Sequence, residues 1–345
     1  MRIERLPTPN EILRSLPLSK EQSKFISNTR QTIRNILNGL DFRFLLIVGP
    51  CSIHDPLAAA EYMMRLRHLA EETRDHLFIV MRAYFEKPRT SIGWKGMLYD
   101  PWLDNSHDIA SGIRLAREFL LKAASQTIPM ATEFLDPASA LFLGDLISWG
   151  CIGARTVSSQ THRQLASGLP MPIAFKNTPE GGVDPAIHGI LNASRSHTYM
   201  GVDPEGRLSR IATAGNADGH LVLRGGENGP NYDPESLSSA LQKLERAGLP
   251  QRLLVDCSHD NSLRQQDQQI TVFQSVISQF LENNQCIRGV LVESHINAGN
   301  QPLTDRTKLS YGVSLTDPCL HWEATESLIR WAHSRLKQSL NYQIR

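Results

Sequence analysis

The 345-residue chain has little cysteine, almost no net charge and no long apolar stretch. Its cysteines are odd in number and show no CxxC spacing, which argues against a disulfide framework. They are Cys51, Cys151, Cys257, Cys286 and Cys319. We therefore expect a reducing, cytoplasmic environment.

The formal net charge of +1 predicts neither nucleic acid nor an anionic membrane as a partner. No apolar run reaches the roughly 18 residues that a membrane-spanning helix needs, and the first residues lack the apolar core of a signal peptide. Because the net charge is so small, any anion site must come from local clusters of Lys and Arg. The length suits one large α/β domain or two small ones.

Short apolar runs alternate with longer helical patterns, such as those over 56–72 and 136–147, after a polar, helix-prone opening segment. Strands that alternate with helices in this way predict a parallel sheet, and eight of them favour a closed (β/α)8 TIM barrel. An open doubly wound sheet is the alternative, but it should carry a glycine fingerprint after its first strand, where this chain has GPCSIHD. The eight runs are 44–48, 77–81, 128–132, 151–154, 172–175, 220–223, 252–255 and 289–292.

One stretch interrupts this alternation. Residues 197–213 predict a β-hairpin around the turn residues Asp203, Pro204, Glu205 and Gly206. We therefore expect an N-terminal helical arm over 1–40 and a barrel catalytic domain over 41–345. The arm and the hairpin are interpreted as decorations on the barrel.

Every predicted strand is followed by a polar, charged or metal-binding residue. In such barrels the chemistry lies at the carboxyl ends of the strands. A single arginine there is usually a solvated loop residue, but eight successive cases indicate a site. The residues are Cys51, Arg82, Glu133, Arg155, Lys176, Arg224, the segment 256–259 and Glu293.

Four of these residues are cations, and Lys87 and Arg89 add two more. Clustered cations repel one another unless anions compensate them, so a multiply charged anion is the natural ligand. Arginine forks also match phosphate and carboxylate groups geometrically. The alternative is that neighbouring Asp and Glu side chains pair these cations.

A second group consists of Cys51, His259, Glu293 and Asp317. Thiolate, imidazole and carboxylate are ligands of borderline divalent metals, so this mixed set would favour Mn²⁺, Fe²⁺, Zn²⁺ or Co²⁺ over Mg²⁺. Taken singly, a cysteine at a strand end is more often a buried small hydrophobic residue. A lone histidine there is more often structural.

Several segments resemble the type I 3-deoxy-D-arabino-heptulosonate 7-phosphate (DAHP) synthases, the amino-acid-regulated bacterial and fungal group. This resemblance implies condensation of phosphoenolpyruvate with D-erythrose 4-phosphate and water, which releases phosphate and opens the shikimate pathway. It also implies a homodimer or homotetramer built through the N-terminal arm. The segments include GPCSIHDP, MRAYFEKPRTSIGWKG, DNSHDIASGIRLAR, WGCIGART, HLVLRGG, VDCSHDNS, GVLVESHINAGNQ and YGVSLTDPC.

The resemblance also assigns residues. It implies one divalent metal ion per subunit on Cys51, His259, Glu293 and Asp317. It places phosphoenolpyruvate on Arg82, Lys87, Ala154, Arg155, Lys176 and Arg224, and erythrose 4-phosphate on Arg89 and Thr90. Catalytic roles fall on Lys87, Glu133 and His259. Glu133 could hold the attacking water, and Lys87 could donate a proton to the developing alkoxide.

Two other functions compete with this interpretation. A synthase of the 3-deoxy-D-manno-octulosonate 8-phosphate type would use another sugar phosphate, but KPRTSIGWKG and the long N-terminal arm argue against it. A non-catalytic metal and phosphate binder would have lost a ligand or a cation, and none of the predicted residues is lost.

The effector pocket departs from the family's pattern. Where phenylalanine-sensitive members have two serines, this chain has Pro170 and Gly201, and the acidic pair expected before Arg2 is missing. We therefore expect aromatic amino acids to inhibit weakly, differently or not at all.

Overall fold

A computed structural model describes residues 3–89, 92–282 and 284–343 of the protein. Ten strands lie in these ranges, and their bounds are Phe44–Gly49 (β1), Leu77–Arg82 (β2), Met130–Glu133 (β3), Trp149–Ile152 (β4), Ile173–Lys176 (β5), His197–Val202 (β6), Leu208–Thr213 (β7), His220–Leu223 (β8), Leu253–Asp256 (β9) and Ile287–Glu293 (β10). The α-helices are Pro9–Ser15 (α1), Lys20–Leu37 (α2), Pro56–Glu72 (α3), Ile109–Ser125 (α4), Ser139–Leu143 (α5), Gln160–Gly168 (α6), Asp184–Ala193 (α7), Pro234–Arg246 (α8), Gln268–Leu281 (α9) and Trp322–Gln343 (α10).

Eight parallel strands close into a barrel in the order β1-β10-β9-β8-β5-β4-β3-β2. The first strand pairs with β2 on one side and with β10 on the other, so the sheet has no free edge. Leu45 and Ile47 of β1 point into the barrel, whereas Leu46 and Val48 contact the surrounding helices. The predicted (β/α)8 barrel is confirmed, and the open sheet is wrong.

Helix α3 shows why the local sequence forms these elements. Asp55 caps its first turn by accepting from the backbone amides of Leu57 and Ala58, and Pro56 occupies the first helical position. Tyr62 and Leu66 lie on the buried stripe that packs against the barrel. The predicted bounds 56–72 match the helix.

Most predicted strand bounds differ from the observed ones by one or two residues, and the differences in the fourth strand and in the helix before it affect the fold most. The fourth strand begins at Trp149 and ends at Ile152, two residues earlier than the apolar run suggested. The helical pattern over 136–147 forms only α5 and a 3-10 turn over 144–146. Ala154 and Arg155 therefore lie in the turn beyond the strand.

The N-terminal arm is more than a decoration. Ile33, Ile36 and Leu37 of α2 pack with the residues inside the barrel and close its amino-terminal end. Arg30 fixes the helix by donating to the carbonyl oxygens of Gly144 and Ile147 at 2.7 and 2.9 Å. This half of the arm is part of the barrel core.

The predicted hairpin is present between α7 and β8. Strands β6 and β7 pair antiparallel, with Met200 opposite Arg210. Asp203 stabilises the turn because its carboxylate accepts from the amides of Glu205 and Arg207. Helix α1 contacts this turn through the Asn10 amide, which donates to Pro204 O at 2.9 Å.

No described helix combines the length and the hydrophobicity needed to cross a membrane. All five cysteines carry free thiols.

Candidate functional site

The predicted site residues gather at one end of the barrel, because parallel strands place their carboxyl ends on the same rim. Four of them are the last residues of their strands: Arg82, Glu133, Lys176 and Glu293. His259 begins a short 3-10 helix after β9. The other predicted residues of this rim lie in loops that follow strands: Cys51, Lys87, Arg89, Ala154, Arg155, Arg224 and Asp317. We call this end of the barrel the mouth.

Cys51, Glu293 and Asp317 offer ligand atoms that all lie within 4.8 Å of one another. His259 joins them, because its Nε2 lies 4.0 Å from Glu293 Oε1 and 3.9 Å from Asp317 Oδ2. Glu293 is fully buried, and its Oε2 has no hydrogen-bond partner among the described residues. An unpaired buried carboxylate oxygen is costly, so this arrangement favours a bound cation.

Asp256 and Ser258 orient the His259 imidazole. Nδ1 lies 3.0 Å from Asp256 Oδ2 and 2.7 Å from Ser258 Oγ, which leaves Nε2 facing the carboxylates. A carboxylate behind a metal-binding imidazole is a common outer-shell arrangement. His259 also has a φ of 58°, a left-handed conformation that non-glycine residues rarely adopt away from functional sites.

Lys87 approaches the same group from the loop after β2. Its Nζ donates to Cys51 Sγ at 3.0 Å and to Cys51 O at 3.3 Å. Burial alone would lower the pKa of Lys87, but Cys51, Glu293 and Asp317 raise it above its ordinary value. Burial and Glu293 raise the pKa of the Cys51 thiol to about 12. A metal ion that binds Cys51 must therefore displace a proton.

Carboxylates pair three of the buried cations at the mouth. Arg82 Nη2 donates to Glu293 Oε1 at 2.9 Å, and Lys176 Nζ donates to Asp256 Oδ2 at 2.6 Å. Arg224 pairs with Asp260. The alternative of neighbouring carboxylate partners therefore holds for these three side chains.

The pairing leaves unused donors. Arg82 Nη1 is buried and has no hydrogen-bond partner among the described residues, although Tyr84 stacks under the guanidinium with its ring centre 4.0 Å away. Arg155 is exposed and lies with Arg224, Arg264 and His259 around one cleft. No ion pair involves Arg155 in the described ranges. The mouth can therefore still accept an anion.

Glu133 packs closely against Gly153. A Cβ at Gly153, next to Ala154, would lie 1.9 Å from Glu133 Oε1, so the carboxylate fits only because this residue is glycine. Arg89 lies further out, where its Nε donates to Trp94 O at 2.8 Å. Thr90, which was predicted to bind beside Arg89, lies outside the described residues.

Sequence reasoning did not assign roles to three residues that shape the mouth. Asp256 holds both Lys176 and His259, and its place at a strand end was visible in the sequence. Gln269 of α9 forms two hydrogen bonds with the backbone of Glu293, and nothing in a helical pattern signals this. Glu86 links the loop that carries Lys87 to the loop after β3, where it accepts from the Asp136 amide at 3.1 Å, and to α5, where it accepts from Ser139 Oγ at 2.8 Å.

Proteins of similar sequence and structure indicate one family. A model of the DAHP synthetase I family matches residues 16–330. The Tyr-sensitive phospho-2-dehydro-3-deoxyheptonate aldolase of Escherichia coli is 45% identical over 340 residues, which cover 98% of this chain and 95% of that relative. The Phe-sensitive enzyme of E. coli is 44% identical, covering 97% and 95%. A solved phospho-2-dehydro-3-deoxyheptonate aldolase from Francisella tularensis has a TM-score of 0.95 at 40% identity, covering 97% and 98% of the two chains.

Proposed function

The chain belongs to the DAHP synthetase I family, and on this premise we propose that it condenses phosphoenolpyruvate with D-erythrose 4-phosphate and water. The products are 3-deoxy-D-arabino-heptulosonate 7-phosphate and phosphate. One observation carries the proposal: a thiol, an imidazole and two carboxylates face a set of buried cations across a single barrel mouth. Neither competing function is favoured by an observation of comparable weight.

Phosphoenolpyruvate is the ligand of the cationic side of the mouth. It is a compact anion with phosphate and carboxylate groups, so its binding requires several fixed cations at once. Arg82 supplies the unused Nη1, and Arg155 supplies a guanidinium without a described carboxylate partner. Lys87, Lys176 and Arg224 add buried positive charges. Ala154 lies next to Arg155 in the turn after β4. Three carboxylate partners compensate part of the positive charge at the mouth.

A divalent metal ion fits beside these cations, with Cys51, His259, Glu293 and Asp317 as its ligands. The donor set combines sulfur, nitrogen and oxygen, which suits Mn²⁺, Fe²⁺, Zn²⁺ or Co²⁺. The unpaired Glu293 Oε2 supports a cation there. When bound, the metal would supply Lewis-acid polarisation of the aldehyde oxygen. We propose one such ion per subunit.

The remaining roles concern protons and position. Lys87 keeps its proton at neutral pH and lies 3.0 Å from Cys51 Sγ, so it can donate toward the oxygen that gains negative charge. Glu133 holds the water that attacks C2 of phosphoenolpyruvate. Arg89 and Thr90 bind the phosphate of erythrose 4-phosphate. Holding both substrates in register supplies much of the acceleration, since effective molarities can reach about 10⁵ M or more.

The decisive assay follows phosphate release from phosphoenolpyruvate, with identification of the sugar acid. We expect turnover with erythrose 4-phosphate, little turnover with arabinose 5-phosphate, and loss of activity with a chelator that Mn²⁺ or Zn²⁺ reverses. A higher rate with arabinose 5-phosphate would replace this proposal with the octulosonate reaction. Unchanged phosphoenolpyruvate in the presence of metal and both sugars would indicate a non-catalytic binder.

We also propose that the response to aromatic amino acids is altered. Relatives are described as Tyr-, Phe- or Trp-sensitive, but Pro170 and Gly201 cannot offer hydroxyl groups to an effector carboxylate. The Pro170 carbonyl oxygen instead accepts from Arg34 at 2.7 Å. Inhibition assays with each aromatic amino acid test this, and strong inhibition by micromolar phenylalanine would contradict it.

Assembly as a homodimer or homotetramer is a further part of the proposal. The arm and hairpin present exposed apolar side chains, among them Ile3, Met200 and Leu208. Size-exclusion chromatography with light scattering should show an oligomer that Leu208→Glu weakens. The control is Leu57→Glu, an equally exposed residue on α3. A monomeric wild-type protein, or equal effects of both substitutions, would refute this assignment.

A further inference from the structure

Asp75, His76 and His333 meet at the end of the barrel opposite the mouth. Asp75 and His76 occupy the turn that joins α3 to the start of β2, and His333 lies in α10. None of them belongs to the proposed catalytic machinery. The three come together only because the last helix packs beside the second strand.

The three side chains point their ligand atoms at one another. His333 Nε2 lies 2.6 Å from Asp75 Oδ1, and His76 Nε2 lies 3.4 Å from Asp75 Oδ2. The two imidazole ring centres are 5.4 Å apart. One ligand atom from each residue lies within 4.8 Å of the other two.

We propose that this cluster is a second metal site, which binds a borderline divalent transition metal such as Zn²⁺ through two imidazole nitrogens and one carboxylate oxygen. Zinc–nitrogen and zinc–oxygen bonds of about 2.0–2.2 Å place tetrahedral ligands roughly 3.3–3.6 Å apart. The observed separations are close enough that side-chain rotations on the order of 1 Å complete the geometry. The fourth position is available to water.

The surroundings hold the ligands in place. Phe42 packs edge-on against the His76 ring, with centres 6.3 Å apart, and the His76 side chain is only 13% exposed. Burial, together with His333 and Lys337, lowers the pKa of His76 despite the opposing effect of Asp75. This shift favours the neutral imidazole, which is the form that binds metal.

Neighbouring charges set the strength of the site. The positive charge of Lys337 weakens the binding of a metal cation at this cluster, whereas the negative charge of the Asp75 carboxylate strengthens it. The nearby Arg330 is already paired with Glu72 and Glu326. We therefore expect binding weaker than at the mouth, where a thiolate and two carboxylates are available.

A purely structural role is the competing explanation. The Asp75–His333 pair alone could fasten α10 to the turn before β2, without any metal. The two explanations differ in one measurable property, because only a metal site makes zinc binding depend on both histidines.

The test counts tightly bound Zn²⁺ by equilibrium dialysis of the metal-free protein at pH 7.5. Wild type should bind two ions per chain, whereas His76→Gln and His333→Gln should bind one. Loss of a ligand should weaken the second site by at least the roughly 10–100-fold typical of losing a supporting partner. The control is His321→Gln, a surface histidine paired with Glu323, and it should still bind two.

Cobalt spectra assign each ion to its site. The thiolate charge-transfer band reports the mouth, so His333→Gln should keep it and Cys51→Ser should lose it. His333→Gln should also keep full activity and the melting temperature of the metal-free protein. One zinc ion on wild type, or two on His333→Gln, would overturn the proposal.

Discussion

Replacing Asp256 with asparagine tests one of the buried charge pairs of the mouth, Lys176 with Asp256. Asp256 is 0% exposed and accepts from Lys176 Nζ at 2.6 Å, from Ser258 Oγ at 2.7 Å and from Ser258 N at 3.1 Å. Burial alone would raise the pKa of Asp256, but Lys176 and His259 hold it well below its ordinary value. The carboxylate is therefore ionised at pH 7.

The magnitude follows from the burial of both partners. Asparagine leaves the ammonium group of Lys176 without its counter-charge in a site where that side chain is only 5% exposed. Removing one member of a buried pair costs about 3–5 kcal/mol of unfolding free energy. The same substitution removes the carboxylate behind His259 Nδ1, so metal affinity at the mouth should fall roughly 10–100-fold.

Two assays separate these effects. Urea unfolding of the metal-free protein at pH 7 measures stability, and dialysis against Zn²⁺ measures metal affinity. The control is Asp218→Asn, which breaks the partly exposed pair with Arg34 and should cost less than about 1 kcal/mol. The double variant Lys176→Met/Asp256→Asn should recover much of the lost stability, because no unpaired charge remains.

The reasoning would be refuted by a loss below about 1 kcal/mol for Asp256→Asn. It would also be refuted if the double variant were as unstable as the sum of the two single variants. Unchanged zinc affinity would show that the Asp256–His259 contact does not orient a ligand.

Three further substitutions test separate features. Lys87→Met should lower kcat by roughly 10²–10⁴-fold without unfolding the protein, because it removes the proposed proton donor, and near-normal turnover would reject that role. Gly153→Ala should reduce kcat/KM at least about 10-fold, since the new Cβ would collide with Glu133, whereas Gly144→Ala, whose Cβ meets nothing closer than 4.0 Å, should not. Burial raises the pKa of Glu86 to about 7, so the stability that protonated Glu86 contributes to the folded protein should be lost as pH rises from about 4.5 to 7. The stability of Glu86→Gln relative to wild type should therefore improve by on the order of 3 kcal/mol between pH 4.5 and 8 in urea unfolding, and a pH-independent difference would contradict this.

The barrel could be predicted because its signals are local. An apolar run such as 44–48 and a capped amphipathic helix such as 56–72 each specify their own element. Eight successive strand–helix units then favour a closed parallel barrel over other arrangements of the sheet. The hairpin over 197–213 was equally visible, since turn residues and alternation mark it directly.

Tertiary packing overruled the local signal in several places. The helical pattern over 136–147 is interrupted after α5. There the carbonyl oxygens of Gly144 and Ile147 accept hydrogen bonds from the Arg30 side chain of α2. The arm looked peripheral, yet Ile33 and Ile36 fill the barrel floor. The Arg30 contacts join residues more than 100 positions apart, and no local pattern encodes them.

The sequence by itself determined the types of residue at each strand end and therefore the chemistry available at the mouth. Only the tertiary structure decided which atoms face each other: Lys87 against Cys51, Asp256 between Lys176 and His259, and Glu293 with one oxygen unpaired. The physical reason is that hydrogen bonds and ion pairs depend on distances of a few ångströms. Closure of the barrel brings these side chains within that range, whereas sequence separation leaves them unrelated.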